Sequence, residues 1–106
     1  MTDILDRIQQ LIRSSKVRIS AHGYDELAED KISVREVVAG IEAAETVEEY
    51  PTFAKGRSVL TLQHDGNGGP IHVVWGIPKG YDGPAVLVTA YRPDPSRWSD
   101  DFRRRR

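Results

Sequence analysis

Polar side chains able to bind an anion stand at the end of one strongly apolar segment of the chain. The segment Ala85–Tyr91 is rich in β-branched residues, and Thr89, Tyr91 and Arg92 lie at its end, directly before Pro93-Asp94-Pro95. Sites are often built where a buried strand runs into a rigid loop. Arg92 could hold a phosphate there while the hydroxyls of Tyr91 or Thr89 orient it. The alternative is that Tyr91 and Arg92 merely cap the sheet edge.

A histidine opens the second predicted helix. Ser20 is a good N-cap for a helix from Ala21 to about Asp30, which places His22 in the first turn. The positive end of the helix dipole favours the neutral imidazole, the form that a general base requires. Alternatively, His22 is a half-exposed side chain that packs its ring against the sheet. A metal site built from all three histidines has little support, because no His-x-His or His-x-x-x-His pair occurs. We expect no cofactor and no metal.

The composition favours an ordinary soluble domain. The chain has 106 residues, 39% hydrophobic and 29% charged, which is typical of one globular domain. The absence of cysteine excludes disulfides, thiolate chemistry and Cys-ligated metal centres. No apolar run is long enough for a signal peptide or a membrane span, so we expect a cytoplasmic protein without a membrane partner.

The net charge of −1 hides an asymmetry between the two halves of the chain. Residues 1–50 hold 11 acidic and 6 basic side chains, whereas residues 51–106 hold 5 and 9. Four of the basic residues are the terminal Arg103–Arg106. Such a run attracts phosphate or an acidic surface, but we favour a disordered, solvated tail, because a short charge run is not specific.

Hydrophobic spacing predicts three helices followed by four strands. Thr2 can cap a first helix over residues 1–15, and Ser33 with Glu36 forms a capping box for a third helix from Val34 to about Glu42. Val17–Ile19 reads as a short extended link. The predicted strands are Thr46–Tyr50, Ser58–His64, Ile71–Ile77 and Ala85–Tyr91.

This element order predicts an α+β fold, in which N-terminal helices pack on one face of a four-stranded antiparallel meander sheet. Residues 1–98 form the single domain, and residues 99–106 form a basic C-terminal tail.

Several segments in a fixed order resemble a known family. They are Ile19-Ser20-Ala21-His22, Ile32–Val38, Glu48-Glu49-Tyr50-Pro51, Ile71-His72-Val73-Val74, and Val86–Pro95 with Trp98. Together they resemble the bacterial domain of unknown function 4258 family, over roughly residues 19–98. That family is grouped with RelE-like ribonuclease toxins of the barnase–EndoU–colicin–RelE type. The resemblance implies a RelE-like fold, metal-independent RNA cleavage and a neutralising protein partner such as an antitoxin.

The resemblance also suggests a role for each candidate residue. Cleavage by 2′-OH attack needs a base, an acid and a cation on the phosphorane. His22 would act as base or acid, Arg92 as the phosphate clamp, Tyr91 or Thr89 as orienting hydroxyls, and His72 as a second candidate acid. Arg35 and Arg57 would add contacts to RNA.

The alternative function is a non-catalytic protein-interaction module of the same fold. The second predicted helix carries acids where relatives carry arginines, namely Asp25, Glu26, Glu29 and Asp30. Acidic side chains repel the phosphates of RNA. The apolar stripe of the first helix could instead dock on a partner protein.

Overall fold

One mixed β-sheet with helices on one face forms the domain. The computed structural model describes residues 3–106. In that range the elements are α1 (Ile4–Arg13), β1 (Val17–Ile19), α2 (Ala21–Glu29), α3 (Val34–Ala39), a 3₁₀ helix (Gly40–Ala43), β2 (Glu45–Tyr50), β3 (Ser58–His64), β4 (Pro70–Gly76) and β5 (Ala85–Tyr91). The predicted α+β class is therefore confirmed.

Side-chain caps begin the helices. The Asp3 carboxylate accepts the Asp6 N–H at 2.8 Å at the start of α1, whereas Thr2, the predicted cap, lies outside the described residues. Ser20 Oγ accepts the Gly23 N–H at 2.9 Å, as predicted for α2. At α3, Ser33 Oγ accepts the Glu36 N–H at 3.4 Å. This helix ends at Ala39, earlier than predicted, and continues as the 3₁₀ helix.

The sheet has five strands in the order β1-β5-β4-β3-β2. The four predicted strands pair antiparallel with their sequence neighbours. However, Val17–Ile19 is a strand as well, and it pairs in parallel with the segment Ala85 to Leu87 of β5. The prediction of a four-stranded antiparallel meander is therefore wrong, because the extended link forms a fifth strand at the edge and makes the sheet mixed.

The main core lies between the helices and one face of the sheet. Its fully buried side chains come from every layer and include Ile8 of α1, Leu27 of α2, Val37 of α3, Trp75 of β4 and Leu87 of β5. None of the helices in residues 3–106 is long and apolar enough to pass through a bilayer.

The C-terminal segment, residues 93–106, folds back over part of the opposite sheet face. Trp98 is buried there, and its main chain pairs with that of Arg105 in an isolated antiparallel β-bridge. The Arg105 Nε lies 2.8 Å from a Glu48 carboxylate oxygen, and the Arg103 Nε lies 2.8 Å from the Glu45 carboxylate. Both acids stand on β2, so these contacts attach the basic end of the chain to the sheet. The sequence had instead favoured a disordered, solvated tail for residues 103–106.

Candidate functional site

The sheet face away from the helices carries three of the seven predicted site residues, His72, Thr89 and Tyr91. Strand pairing places His72 opposite both Tyr91 on β5 and Leu62 on β3. Further along the same face, Gly76 pairs with Val86, which in turn pairs with Arg18 of the edge strand. The C-terminal segment contacts the first of these regions, through Phe102 and Trp98.

The second region contains a cavity of about 440 Å³, which we call the His22 cavity. Its lining combines a cationic rim with an apolar wall, and includes Arg18, His22, Lys55, Phe53, Ser58, Pro78, Val86 and Val88. Within the described range, none of the lining residues carries a carboxylate. The cavity therefore suits an anionic ligand that also has a flat apolar part.

The start of α2 fixes the position of His22. The Ser20 hydroxyl donates to the Val88 carbonyl at 3.1 Å, and the Ser20 N–H donates to the Leu87 carbonyl at 3.1 Å, so the helix begins directly on β5. The His22 side chain is 65% exposed. Its Nε2 lies 3.5 Å from a carboxylate oxygen of Glu26, one turn later. The imidazole therefore remains accessible to a ligand while one carboxylate contacts it.

His72 lies in a closed environment. Its relative exposure is 0%, its Nδ1 lies 3.2 Å from the Tyr91 hydroxyl, and its Nε2 lies 2.8 Å from the Phe102 carbonyl oxygen. The ring also packs edge-on against Trp98, with 4.4 Å between the ring centroids. Because Phe102 O can only accept, Nε2 carries the proton and Nδ1 accepts from the tyrosine hydroxyl.

The pKa values of these two groups follow from their burial. Burial lowers the pKa of His72, and the same effect raises the pKa of Tyr91. Both side chains are therefore held neutral and hydrogen-bonded to each other beneath the C-terminal segment.

Arg92 is occupied by acidic partners. Its guanidinium lies 2.9 Å from the Asp65 carboxylate, and its Nε donates to the Asp30 main-chain carbonyl at 3.4 Å. The main-chain N–H of Arg92 donates to the Asp30 carboxylate at 2.9 Å. Arg92 lines a separate cavity of about 360 Å³ together with Tyr91 and Arg105. The structure therefore does not bring Arg92 and His22 into one cavity.

The remaining predicted residues are spread over the molecule. Thr89 pairs with Val74 of β4 and is half-buried. Arg35 is exposed on α3, and Arg57 is exposed immediately before β3. The histidines also differ in environment, since His22 and His64 are exposed and His72 is buried. Within residues 3–106, no three His, Asp or Glu side chains are grouped so that they could hold a metal ion.

A family model for a domain of unknown function, number 4258, matches residues 19–92. The chain belongs to this family. Searches of curated proteins and of solved structures returned no match. The RelE-like part of the fold prediction therefore stays a prediction.

The segment matched by the family 4258 model contains most of the His22 cavity but not Arg18 or the C-terminal segment. Sequence reasoning missed Arg18 because it took Val17–Ile19 for a link, and Lys55 was not among its candidate site residues. The alternation of Val17, Arg18 and Ile19 is the one signal that could have suggested a strand with Arg18 on its own face. Three residues are too few to make that pattern decisive.

Proposed function

We propose that the protein binds RNA in the His22 cavity and cleaves it by a metal-independent route. The observation that carries this proposal is a cavity in which Arg18, Lys55 and an exposed His22 surround an apolar wall, with no carboxylate among the described residues that line it. Phosphate contacts from Arg and Lys supply the affinity for nucleic acid, and an aromatic side chain offers a base a surface for stacking. Phe53 provides that surface. Since the substrate is cellular RNA, the proposal includes a cytoplasmic location.

The chemistry follows from these side chains. The 2′-oxygen of the substrate attacks the adjacent phosphorus, and the bond from phosphorus to the 5′-oxygen breaks. His22 accepts the proton of the 2′-OH as general base, and water supplies a proton to the departing 5′-oxygen. Arg18 and Lys55 stabilise the negative charge that builds up on the phosphorane oxygens. The products are a 2′,3′-cyclic phosphate and a 5′-hydroxyl end.

This proposal narrows the set of residues suggested by the sequence. It uses His22 and replaces Arg92 with Arg18 and Lys55 as the phosphate-binding cations, because the Asp65 carboxylate and the Asp30 main-chain carbonyl already bind the Arg92 guanidinium. It assigns His72 a structural position, because both of its ring nitrogens have partners within the fold.

The test is cleavage of total bacterial RNA in buffer containing a chelator. We expect the wild type to cleave, and we expect His22→Ala to lose most of that activity, since one general base contributes roughly 10²- to 10⁴-fold to the rate. The combined Arg18→Ala/Lys55→Ala variant should also lose activity, whereas Arg92→Ala and His64→Ala should keep it. Loss in Arg92→Ala with retention in Arg18→Ala/Lys55→Ala would place the site at the other cavity and refute the proposal.

A second candidate is a protein-interaction module without catalytic activity. Its supporting observation is that Glu26 contacts His22, while Asp30 and Asp65 contact Arg92. These acids stand beside two of the residues that the sequence assigned to an RNA site. A folded wild-type protein that neither binds nor cleaves RNA would favour this module, with a partner protein such as an antitoxin covering the His22 cavity.

A further inference from the structure

A second groove adjoins the His22 cavity, and we call it the loop groove. It has a volume of about 590 Å³ and lies between the loop that follows β2 and the loop that follows β4. Phe53, Gly56, Ile77 and Pro78 line both spaces. A ligand bound at His22 could therefore extend into the loop groove without leaving the protein surface.

Two large aromatic side chains of the loop groove are exposed. Phe53 is 52% exposed and Tyr81 is 72% exposed. Neither belongs to the hydrophobic core, so core packing does not account for them. Exposed aromatic rings at the wall of a groove are surfaces on which nucleic-acid bases can stack, and every base offers a π-face whatever its identity.

Main-chain hydrogen bonds join the two loops that carry these rings. The Ile77 N–H donates to the Arg57 carbonyl at 3.1 Å, and the Lys79 N–H donates to the Lys55 carbonyl at 2.9 Å. Gly56 permits this close approach, because it has a φ of 134° and a Cβ there would overlap the Ile77 carbonyl oxygen. These hydrogen bonds therefore hold the two loops together, one of which carries Phe53 and the other Tyr81.

The charge of the groove complements a nucleic-acid backbone. Arg57 and Lys79 line it, and Lys55 stands at the border with the His22 cavity. Among the described residues that line the groove, Asp82 is the one acid, and the guanidinium of Arg7 donates to its main-chain oxygen at 2.9 Å. Cations that alternate with aromatic rings form the usual arrangement for binding a single strand.

We infer that the loop groove binds the nucleotides next to the cleaved phosphate and selects single-stranded RNA. This inference rests on the proposed function. One base stacks on Phe53 at the border, and the next base stacks on Tyr81, while Arg57 and Lys79 contact the phosphates between and beyond them. A duplex cannot use these rings, because its bases are already stacked and paired.

The experiment measures RNA binding by fluorescence anisotropy. The probes are a labelled single strand of about eight nucleotides, within the range that such platforms bind, and a labelled dinucleotide. Both carry methylated 2′-oxygens so that they cannot be cleaved, and a hairpin duplex serves as competitor. Tyr81→Ala removes the ring, Tyr81→Phe keeps it, and Tyr24→Ala removes an exposed aromatic that lines neither space.

We expect Tyr81→Ala to weaken binding of the longer strand by about tenfold, the size of one lost stacking contact, and to leave dinucleotide binding unchanged. Tyr81→Phe and Tyr24→Ala should bind as the wild type does, and the duplex should compete poorly. Equal affinity of Tyr81→Ala and the wild type for the longer strand would overturn the inference, as would an equal loss in Tyr81→Phe.

The Arg18→Ala/Lys55→Ala variant separates failure of this inference from failure of the proposed function. If it loses both probes while Tyr81→Ala loses neither, RNA binding at His22 stands and the groove is not used. If the folded wild type binds neither probe, the proposed function and the inference both fail.

Discussion

His72 provides the sharpest test of how this fold is held together. The structure predicts that its ring stabilises the attachment of the C-terminal segment and takes no part in RNA chemistry. Replacement by alanine removes the ring and its two hydrogen bonds to Tyr91 and Phe102. Replacement by phenylalanine keeps a ring of similar shape and removes only the hydrogen bonds. The two variants therefore separate the packing contribution from the polar one.

The expected magnitudes follow from these contacts. Two hydrogen bonds at about 1 kcal/mol each give a cost of about 2 kcal/mol for His72→Phe. His72→Ala also leaves a cavity beside Trp98, which adds roughly 2 kcal/mol for a fully buried side chain of this size. We therefore expect a loss of about 4 kcal/mol in the free energy of unfolding. His64→Ala is the matched control, because His64 is exposed, and it should change that free energy by less than about 0.5 kcal/mol.

The dependence on pH supplies an independent check. Burial lowers the pKa of His72 in the folded protein, so the unfolded chain binds the proton more readily. The contribution of His72 to stability is therefore complete above the unfolded pKa of about 6.5 and is lost as the pH falls below it. Glu48 and Arg105 also act on His72, but the arginine lowers the pKa of the Glu48 carboxyl, so both remain charged in this window.

The assay is urea unfolding of the wild type, His72→Phe and His72→Ala at about pH 7.5 and about pH 5.5, with RNA cleavage measured on the same preparations. The stability gap between the wild type and His72→Phe should narrow at the lower pH, because phenylalanine has no proton to bind. A gap that widens on acidification would refute the burial argument. A folded His72→Phe without cleavage activity would show that His72 acts in the chemistry.

Three further changes test the packing. Gln63→Leu should lower the free energy of unfolding by about 3 kcal/mol, as measured by urea unfolding. The amide oxygen of Gln63 accepts from Trp75 Nε1 at 2.9 Å, and the buried indole N–H would lose this partner. Gly23→Ala should cost about 2 kcal/mol in the same assay, because the new Cβ would lie 2.9 Å from the Leu87 carbonyl oxygen, and unchanged stability would contradict the close packing of α2 on β5. Arg105→Ala should lower the free energy of unfolding by only about 1 kcal/mol, because the ion pair of Arg105 with Glu48 is exposed to solvent. The same assay at high salt should show a smaller loss, because salt screens this ion pair.

Local patterns predicted those elements whose signals lie within a few residues. The predicted bounds of Ser58–His64 and Ala85–Tyr91 agree with the structure, because apolar and β-branched runs between glycines and prolines define them. The cap of α2 at Ser20 could also be predicted, because the cap residue stands directly before the helix that it begins. By contrast, Val17–Ile19 becomes a strand through pairing with β5, far along the chain. That interaction leaves no pattern in three residues.

The same distinction separates the site residues. The position of His22 in the first turn of α2 follows from a local cap, and the sequence predicts it. The pairing of Arg92 with Asp65 depends on contact between the end of β5 and the loop after β3. The burial of His72 depends on Phe102 and Trp98, which fold back from the C-terminus. No spacing rule connects these segments, so their effect on the candidate site could not be predicted.

Ion pairs between the two halves of the chain balance part of its charge asymmetry within the fold. Arg103 and Arg105 lie against Glu45 and Glu48, so the acids of β2 and the basic C-terminus compensate each other at one end of the sheet. Net charge therefore says little about the potential at the other end. There the cavity beside His22 takes its charge from Arg18 on β1 and Lys55 in the loop after β2. Because surface charges beyond about 8 Å are screened at physiological salt, these nearby cations govern the attraction of an anionic ligand.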